Sequence, residues 1–166
     1  MKDALAIHRS LLDLEIQHEI IRLPSVISHA DELPRVLGLA ANRCLVTRMY
    51  WFGRHDLVAA IVPAGTRPPY EAVRSGLGTP RLIREAPSDA VNKITDYVAE
   101  LVAPLLLPDR MPILVDQELM DVLDVDDVVY TATGEGSTAL GIRSFDLWSL
   151  TGAKPCTLTG PLRSSA

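Results

Sequence analysis

Two apolar runs, Cys44–Phe52 and Leu57–Val62, lie four residues apart and constrain this chain more than any other feature. The first is rich in β-branched and aromatic residues. The second is almost continuously apolar and ends at Pro63. Gly53-Arg54-His55-Asp56 between them is turn material, so the pair predicts a hairpin. Neither strand alternates apolar with polar residues. Both faces must therefore be covered, which places the hairpin at the centre of a sheet. A chain of 166 residues, 48% hydrophobic and 22% charged, is long enough to supply that cover from one core.

The rest of the chain offers helices and short strands in mixed order. Leu5, Ile7, Leu11, Leu12, Leu14 and Ile16 form an apolar stripe that predicts an N-terminal helix, followed by a strand over His18–Leu23. A short helix is expected over His29–Gly38, with Pro34 in its first turn. Further helices are expected at Tyr70–Leu77, Ser88 to about Val98, Gln117–Val122 and Ser144–Leu150. Further strands are expected at Pro112–Val115, Asp127–Thr133, Thr138–Arg143 and Cys156–Thr159. This order lacks the regular strand–helix alternation of a doubly wound sheet and predicts a mixed α/β fold of the α+β kind. No linker divides the chain, so residues 1–159 read as one domain and 160–166 as a loose tail.

Composition narrows the function classes. Sixteen Lys and Arg against 21 Asp and Glu leave a formal charge of −5, which argues against a duplex-DNA binder. Two cysteines, Cys44 and Cys156, give no disulfide framework, and their strand-like apolar surroundings suit inert thiols. The longest apolar stretch, Leu101–Leu107, contains Pro104 and is far too short for a membrane span. The N-terminus is amphipathic rather than an apolar signal core, so a cytoplasmic protein is expected.

No phosphate-binding loop and no nucleophile elbow is present. Gly134-x-Gly136 lacks the third glycine of a dinucleotide fingerprint and suits a tight turn between strands. His8, His18, His29 and His55 are not at metal-ligand spacing, so no metal and no cofactor is expected. The stretch 116–127 holds six acids and no base, which suits a solvated acidic face better than a calcium loop. Asp116 stands apart because it closes an apolar strand; it could cap the helix that follows or orient a reacting group.

The order of these pieces resembles the YbaK-type family of aminoacyl-tRNA editing domains, also called the prolyl-tRNA synthetase-associated domain family. The resemblance spans residues 4–155. It rests on the helix and strand from Ala6-Ile7 to Leu23-Pro24, the helix ending in Leu37-Gly38, and the hairpin strand Leu57-Val58-Ala59-Ala60-Ile61-Val62-Pro63. It continues through Pro112-Ile113-Leu114-Val115-Asp116-Gln117-Glu118-Leu119, the turn Thr133-Gly134-Glu135-Gly136, and the terminal helix Phe145-Asp146-Leu147-Trp148-Ser149-Leu150-Thr151-Gly152-Ala153. It implies a compact fold around an irregular, largely antiparallel sheet and hydrolysis of the ester joining a wrong amino acid to a tRNA, without a metal. The implied partners are the acceptor end of an aminoacyl-tRNA and a synthetase that delivers it. The implied substrate-binding positions are Val46, Thr47, His29, Pro63 and Pro104.

The sequence departs from the family at the lysine that follows the Leu-Gly helix. Counting from Gly38 puts that slot at Val46, or at Thr47 after a shift of one residue, and neither is lysine. Arg48 shares a strand face with Val46 and is the expected replacement cation; Arg43 is the alternative if the slot is Thr47. The family's glycine-rich loop is also changed, because residues 96–104 keep Tyr97 and Pro104 but contain no glycine. Three readings follow. One is a freestanding deacylase using Arg48, Asp116 and the backbone N–H groups of Gly134 and Gly136. Another is a non-catalytic binding module for an amino acid or an aminoacyl-tRNA end. The third is a scaffold that contacts a synthetase or ribosomal partner.

Overall fold

The apolar hairpin is the spine of the sheet. In the computed structural model, which describes residues 1–159, strands β2 (Cys44–Phe52) and β3 (Asp56–Pro63) pair antiparallel from Leu45↔Pro63 to Phe52↔Asp56. The tail expected at 160–166 lies outside the described residues. Around the hairpin stand β1 (His18–Arg22), β4 (Ile83–Glu85), β5 (Ile113–Asp116), β6 (Val128–Ala132), β7 (Thr138–Arg143) and β8 (Lys154–Cys156). Their order is β1-β7-β6-β2-β3-β5-β8, with β4 added to the far end of β2. The β1·β7, β6·β7, β2·β3 and β2·β4 ladders are antiparallel, and β2·β6, β3·β5 and β5·β8 are parallel. The sheet is mixed and mostly antiparallel, as expected, with the hairpin at its centre.

Among the described residues six α-helices cover it: α1 (Ala4–Asp13), α2 (Leu33–Leu37), α3 (Tyr70–Leu77), α4 (Ser88–Thr95), α5 (Gln117–Val122) and α6 (Ser144–Thr151). The two-residue period of a strand explains the missing polar face of the hairpin. Leu45, Met49, Ala59 and Ile61 pack into one apolar cluster with Ile7 and Leu11 of α1, Val91 of α4 and Leu147 of α6. Tyr50, Val58, Ala60 and Val62 pack into another with Ala72 and Val73 of α3. Each large apolar side chain buried this way contributes about 1.5–3 kcal/mol.

Most boundaries fall within a residue of expectation, and three differ more, each for a local reason. The helix expected to reach Val98 stops at Thr95, because Asp96 turns left-handed at φ 60°. Thr95 Oγ1 then accepts from the Tyr97 amide and Asn92 Oδ1 from the Ala99 amide, so the chain leaves as a folded loop. The final strand is Lys154–Cys156 rather than Cys156–Thr159, since β5 pairs with the chain directly after α6. The segment 29–38 is a short 3-10 turn, Ala30–Glu32, followed by α2, with Pro34 in its first turn as expected.

Candidate functional site

The sheet opens beside β2. On the edge away from β3, β6 pairs only with Cys44 and Leu45, and β4 only with Tyr50, Trp51 and Phe52. Residues 46–49 therefore have no strand beside them on that edge. Cys44 O accepts from Ala64 N on the β3 side, and Met49 O accepts from Ala86 N on the other. The even-numbered residues of β2 thus address β3 and the odd-numbered ones the open edge. Thr47 falls in the middle of the gap, with its N–H and C=O facing outward and no ladder partner. Its hydroxyl makes no hydrogen bond to the described residues, yet no buried side-chain polar atom among them is left unpartnered. The hydroxyl accordingly opens onto the space beside the strand.

That space is a polar cavity of about 350 Å³. Its floor is residues 46–50 of β2. One wall is Glu85, Ala86, Pro87 and Ser88, between β4 and α4; another is Ala99 and Glu100; His29 and Arg67 close the rim. Both candidate lysine slots, Val46 and Thr47, line it, as do His29 and Arg48. Val46 also packs in the apolar cluster of Leu23, Ile27, Leu33 and Leu101, so at this slot the cavity meets hydrocarbon instead of a cation.

Arg48 is only 6% exposed. Its Nη1 and Nη2 donate to the two carboxylate oxygens of Asp31 at 2.8 Å each, and Nε and Nη2 donate to the Thr66 carbonyl at 3.0 and 2.7 Å. Asp31 also accepts from the Gly65 amide at 2.7 Å. Burial opposes ionisation of Asp31, but the Arg48 bonds, the Gly65 amide and the charges of Arg48 and His29 outweigh it and hold the carboxyl below its ordinary value. The guanidinium thus ties β2 to the loops at 29–31 and 64–66, and Arg48 is fully engaged within the chain. Arg43, the alternative cation, is turned away and bonds Val128 O and Asp127.

His29 is held from behind. Its Nδ1 lies 3.1 Å from the Asp31 amide and 3.0 Å from Asp31 Oδ2, so either protonation state of that nitrogen finds a partner. Nε2 points at Glu100, 3.9 Å from Oε2. Glu100 accepts from Ser88 Oγ at 3.2 Å, and Arg67 pairs with Glu85 at 3.1 Å. Burial pushes the Tyr50 hydroxyl, on the cavity floor, up to about 12. Glu100 occupies the loop where the resemblance expected glycine, and sequence reasoning did not single it out. Its place within 97–104 was the available signal.

The other expected site residues lie away from this cavity. Asp116 is buried at the end of β5 and makes no side-chain cap to α5; it accepts from the Leu158 amide at 3.2 Å and from the Thr159 hydroxyl. Gly134 turns at φ 94°, and a Cβ there would run into the Lys2 carbonyl oxygen and the Tyr97 ring. A Cβ on Gly136 would meet the Ile27 carbonyl oxygen. Both glycines permit close backbone approach. Pro63 ends β3 opposite Leu45, and Pro104 follows the cavity wall without lining it. Burial raises the Cys44 thiol to about 11, and Cys156 is raised by burial as well, so neither is an activated nucleophile. Among the described residues no group of three or more His, Cys, Asp or Glu is placed to hold a metal ion, and no helix is long and apolar enough to cross a membrane.

No protein-family model and no curated protein matches the chain. Solved structures do. A hypothetical protein superposes with a TM-score of 0.80 at 18% identity, covering 93% of this chain and 99% of its own. A structure from computational grafting of epitope backbones onto scaffold proteins gives 0.78 at 20% identity, covering 94% and 96%. A "putative trans-editing enzyme for prolyl tRNA synthetase" gives 0.72 at 19% identity, covering 87% of each chain. At these identities the likeness establishes the fold.

Proposed function

We propose that this chain is a freestanding aminoacyl-tRNA editing domain that hydrolyses the ester of a mischarged tRNA in the cavity beside β2. One observation carries the reading. The residue-46/47 slot, the 97–104 loop and His29 are separated by up to about 70 positions, yet they converge on one polar cavity where the resemblance expects the site. The structural likeness to an enzyme described as editing for prolyl-tRNA synthetase is consistent with it.

In this mechanism a water attacks the ester carbonyl, the bond to the ribose oxygen breaks, and the amino acid and tRNA leave. The outward N–H and hydroxyl of Thr47 donate to the developing oxyanion. His29, steadied by Asp31 at Nδ1, takes the proton from water at Nε2 and returns it to the departing ribose oxygen. Arg48 shapes the floor by holding Asp31 and the 64–66 loop. With a net charge of −5 the chain has little grip on tRNA by itself, and a synthetase in the cytoplasm delivers the acceptor end.

A second reading, a non-catalytic binding module, is favoured by the four hydrogen bonds that occupy Arg48 and leave no lysine-like cation on β2. A deacylation panel of mischarged tRNAs separates the two. The editing reading expects at least one to be hydrolysed, with His29→Ala slowing release by about 10²-fold or more. If no tRNA is hydrolysed while an aminoacyl-adenosine analogue still binds, the editing reading fails and the binding module stands.

A further inference from the structure

We infer that the face formed by α5, the 123–127 loop and α6 is a docking site for a basic, apolar-anchored segment of a partner protein. It is separate from the cavity beside β2. The core takes Leu119, Leu123 and Leu147 from these elements, Met120 and Trp148 pack partly against it, and Val122, Val125 and Phe145 stay outside. Val122, Val125 and Phe145 are 55%, 63% and 58% exposed. Val125 and Phe145, with the half-buried Met120 and Trp148, border a groove of about 350 Å³. Single exposed apolar residues are ordinary, but apolar side chains gathered around one concavity, two of them more than half exposed, mark an interaction surface.

The groove is preformed. Ser144 Oγ donates to Asp124 O at 2.7 Å, the Ser144 amide to Asp127 O at 2.8 Å and the Phe145 amide to Val125 O at 3.2 Å. Asp127 accepts from the Asp124 amide and pairs with Arg43. The loop is thus bolted to the start of α6, and little ordering remains to be lost on binding.

Charge identifies the occupant. No Lys or Arg occurs between Arg110 and Arg143. Asp124 and Asp126 flank Val125 in the loop and are exposed, Asp126 at 85%, and Glu118 and Asp121 are exposed on α5. Arg143, at the edge, is already paired with Asp146 at 3.1 Å and faces Asp126 at 3.9 Å. An acidic rim around apolar anchors fits Leu- or Trp-type side chains flanked by Lys or Arg. It repels a nucleic-acid backbone, and it repels a second copy of the same face.

The test uses the full chain and two short amphipathic peptides with the same Leu and Trp anchors, one flanked by Lys and one by Glu. Binding is read by fluorescence anisotropy at low and high salt, and its location by amide chemical shifts. The Lys peptide should bind, weaken with salt, and shift the amides of 118–127 and 143–149. Phe145→Ser and the double change Asp121→Lys/Asp124→Lys should each weaken it about tenfold or more. These side chains are exposed, so both variants should fold; circular dichroism checks this. No binding by the Lys peptide, equal binding by the Glu peptide, or shifts confined to other faces would overturn the inference. A concentration-dependent dimer abolished by Phe145→Ser would assign the face to a second copy and overturn it equally.

Discussion

Arg48 and Asp31, seventeen positions apart in sequence, meet as a two-pronged ion pair with both bonds at 2.8 Å. The guanidinium is buried, while Asp31 retains some contact with solvent. A buried charge that loses its partner is costly, whereas replacing both partners by apolar groups is often close to neutral. Asp31→Ala should therefore destabilise the fold by about 3 kcal/mol. The pair Asp31→Leu/Arg48→Met should recover much of that loss, with a coupling of about 1–3 kcal/mol in urea unfolding of the four-member cycle. Purely additive losses would show that the pair does not act as a unit.

The same carboxylate sets an acid limit. Its folded-state value lies below the ordinary 3.8, so its stabilising contribution is complete above 3.8 and is lost as pH falls through the lower folded value. Wild type and Asp31→Asn should differ most at neutral pH and converge in strong acid. Thermal unfolding across a pH series reads this, and a gap that stays constant to the acid limit would remove Asp31 as its source.

The fold was largely legible because its main elements carry local signals. Both hairpin strands follow from apolar runs, α3 from the prolines before it and the glycines that close it, and α5 from Asp116 ending the strand before it. Strand β4 did not, because Ile83-Arg84-Glu85 is three residues long and two of them are charged. Strand β8 is defined by parallel pairing with β5 and contains Pro155, which reads as an end rather than a strand. The site was legible in part. Counting from Gly38 reached Val46 and Thr47, which do line the cavity. The open edge beside them depends on where β6 and β4 diverge, a property of pairing and not of any local pattern. Arg48 is charged and sits on the right strand, but its engagement by Asp31 comes from a loop that only folding brings near.

Gly136 packs against backbone. Its carbonyl accepts from the Ile27 amide at 2.9 Å, and its missing Cβ leaves room for the Ile27 carbonyl. Backbone cannot swing aside as a side chain can. Gly136→Ala should lower stability by about 2 kcal/mol or more and displace the 25–27 segment. Calorimetry and amide exchange at Ile27 check this. A variant as stable as wild type would show that the two segments separate freely.

Asp116 fastens the end of β5 to the chain beyond β8. Without its carboxylate the Leu158 amide loses a buried acceptor, a loss of about 1–3 kcal/mol. Asp116→Ala should speed hydrogen exchange at Leu158 selectively. If Asp116 also acts in ester hydrolysis, the rate per folded molecule should fall as well. An unchanged rate in a folded variant would leave it a structural role alone.

Thr47 offers the sharpest test of the cavity. Its hydroxyl and outward N–H face the gap, so Thr47→Val removes one donor while keeping shape and the backbone donor. Since the hydroxyl has no partner within the described chain, unfolding stability should change by less than about 1 kcal/mol. If the cavity hydrolyses an aminoacyl ester, kcat should fall by up to about 10²-fold, with KM changing far less, because the donor acts on charge that develops only in the transition state. Thr47→Ser restores the hydroxyl on a smaller side chain and should regain most of the rate. Full activity in Thr47→Val would exclude the hydroxyl from the reaction and leave the backbone N–H as the donor on β2.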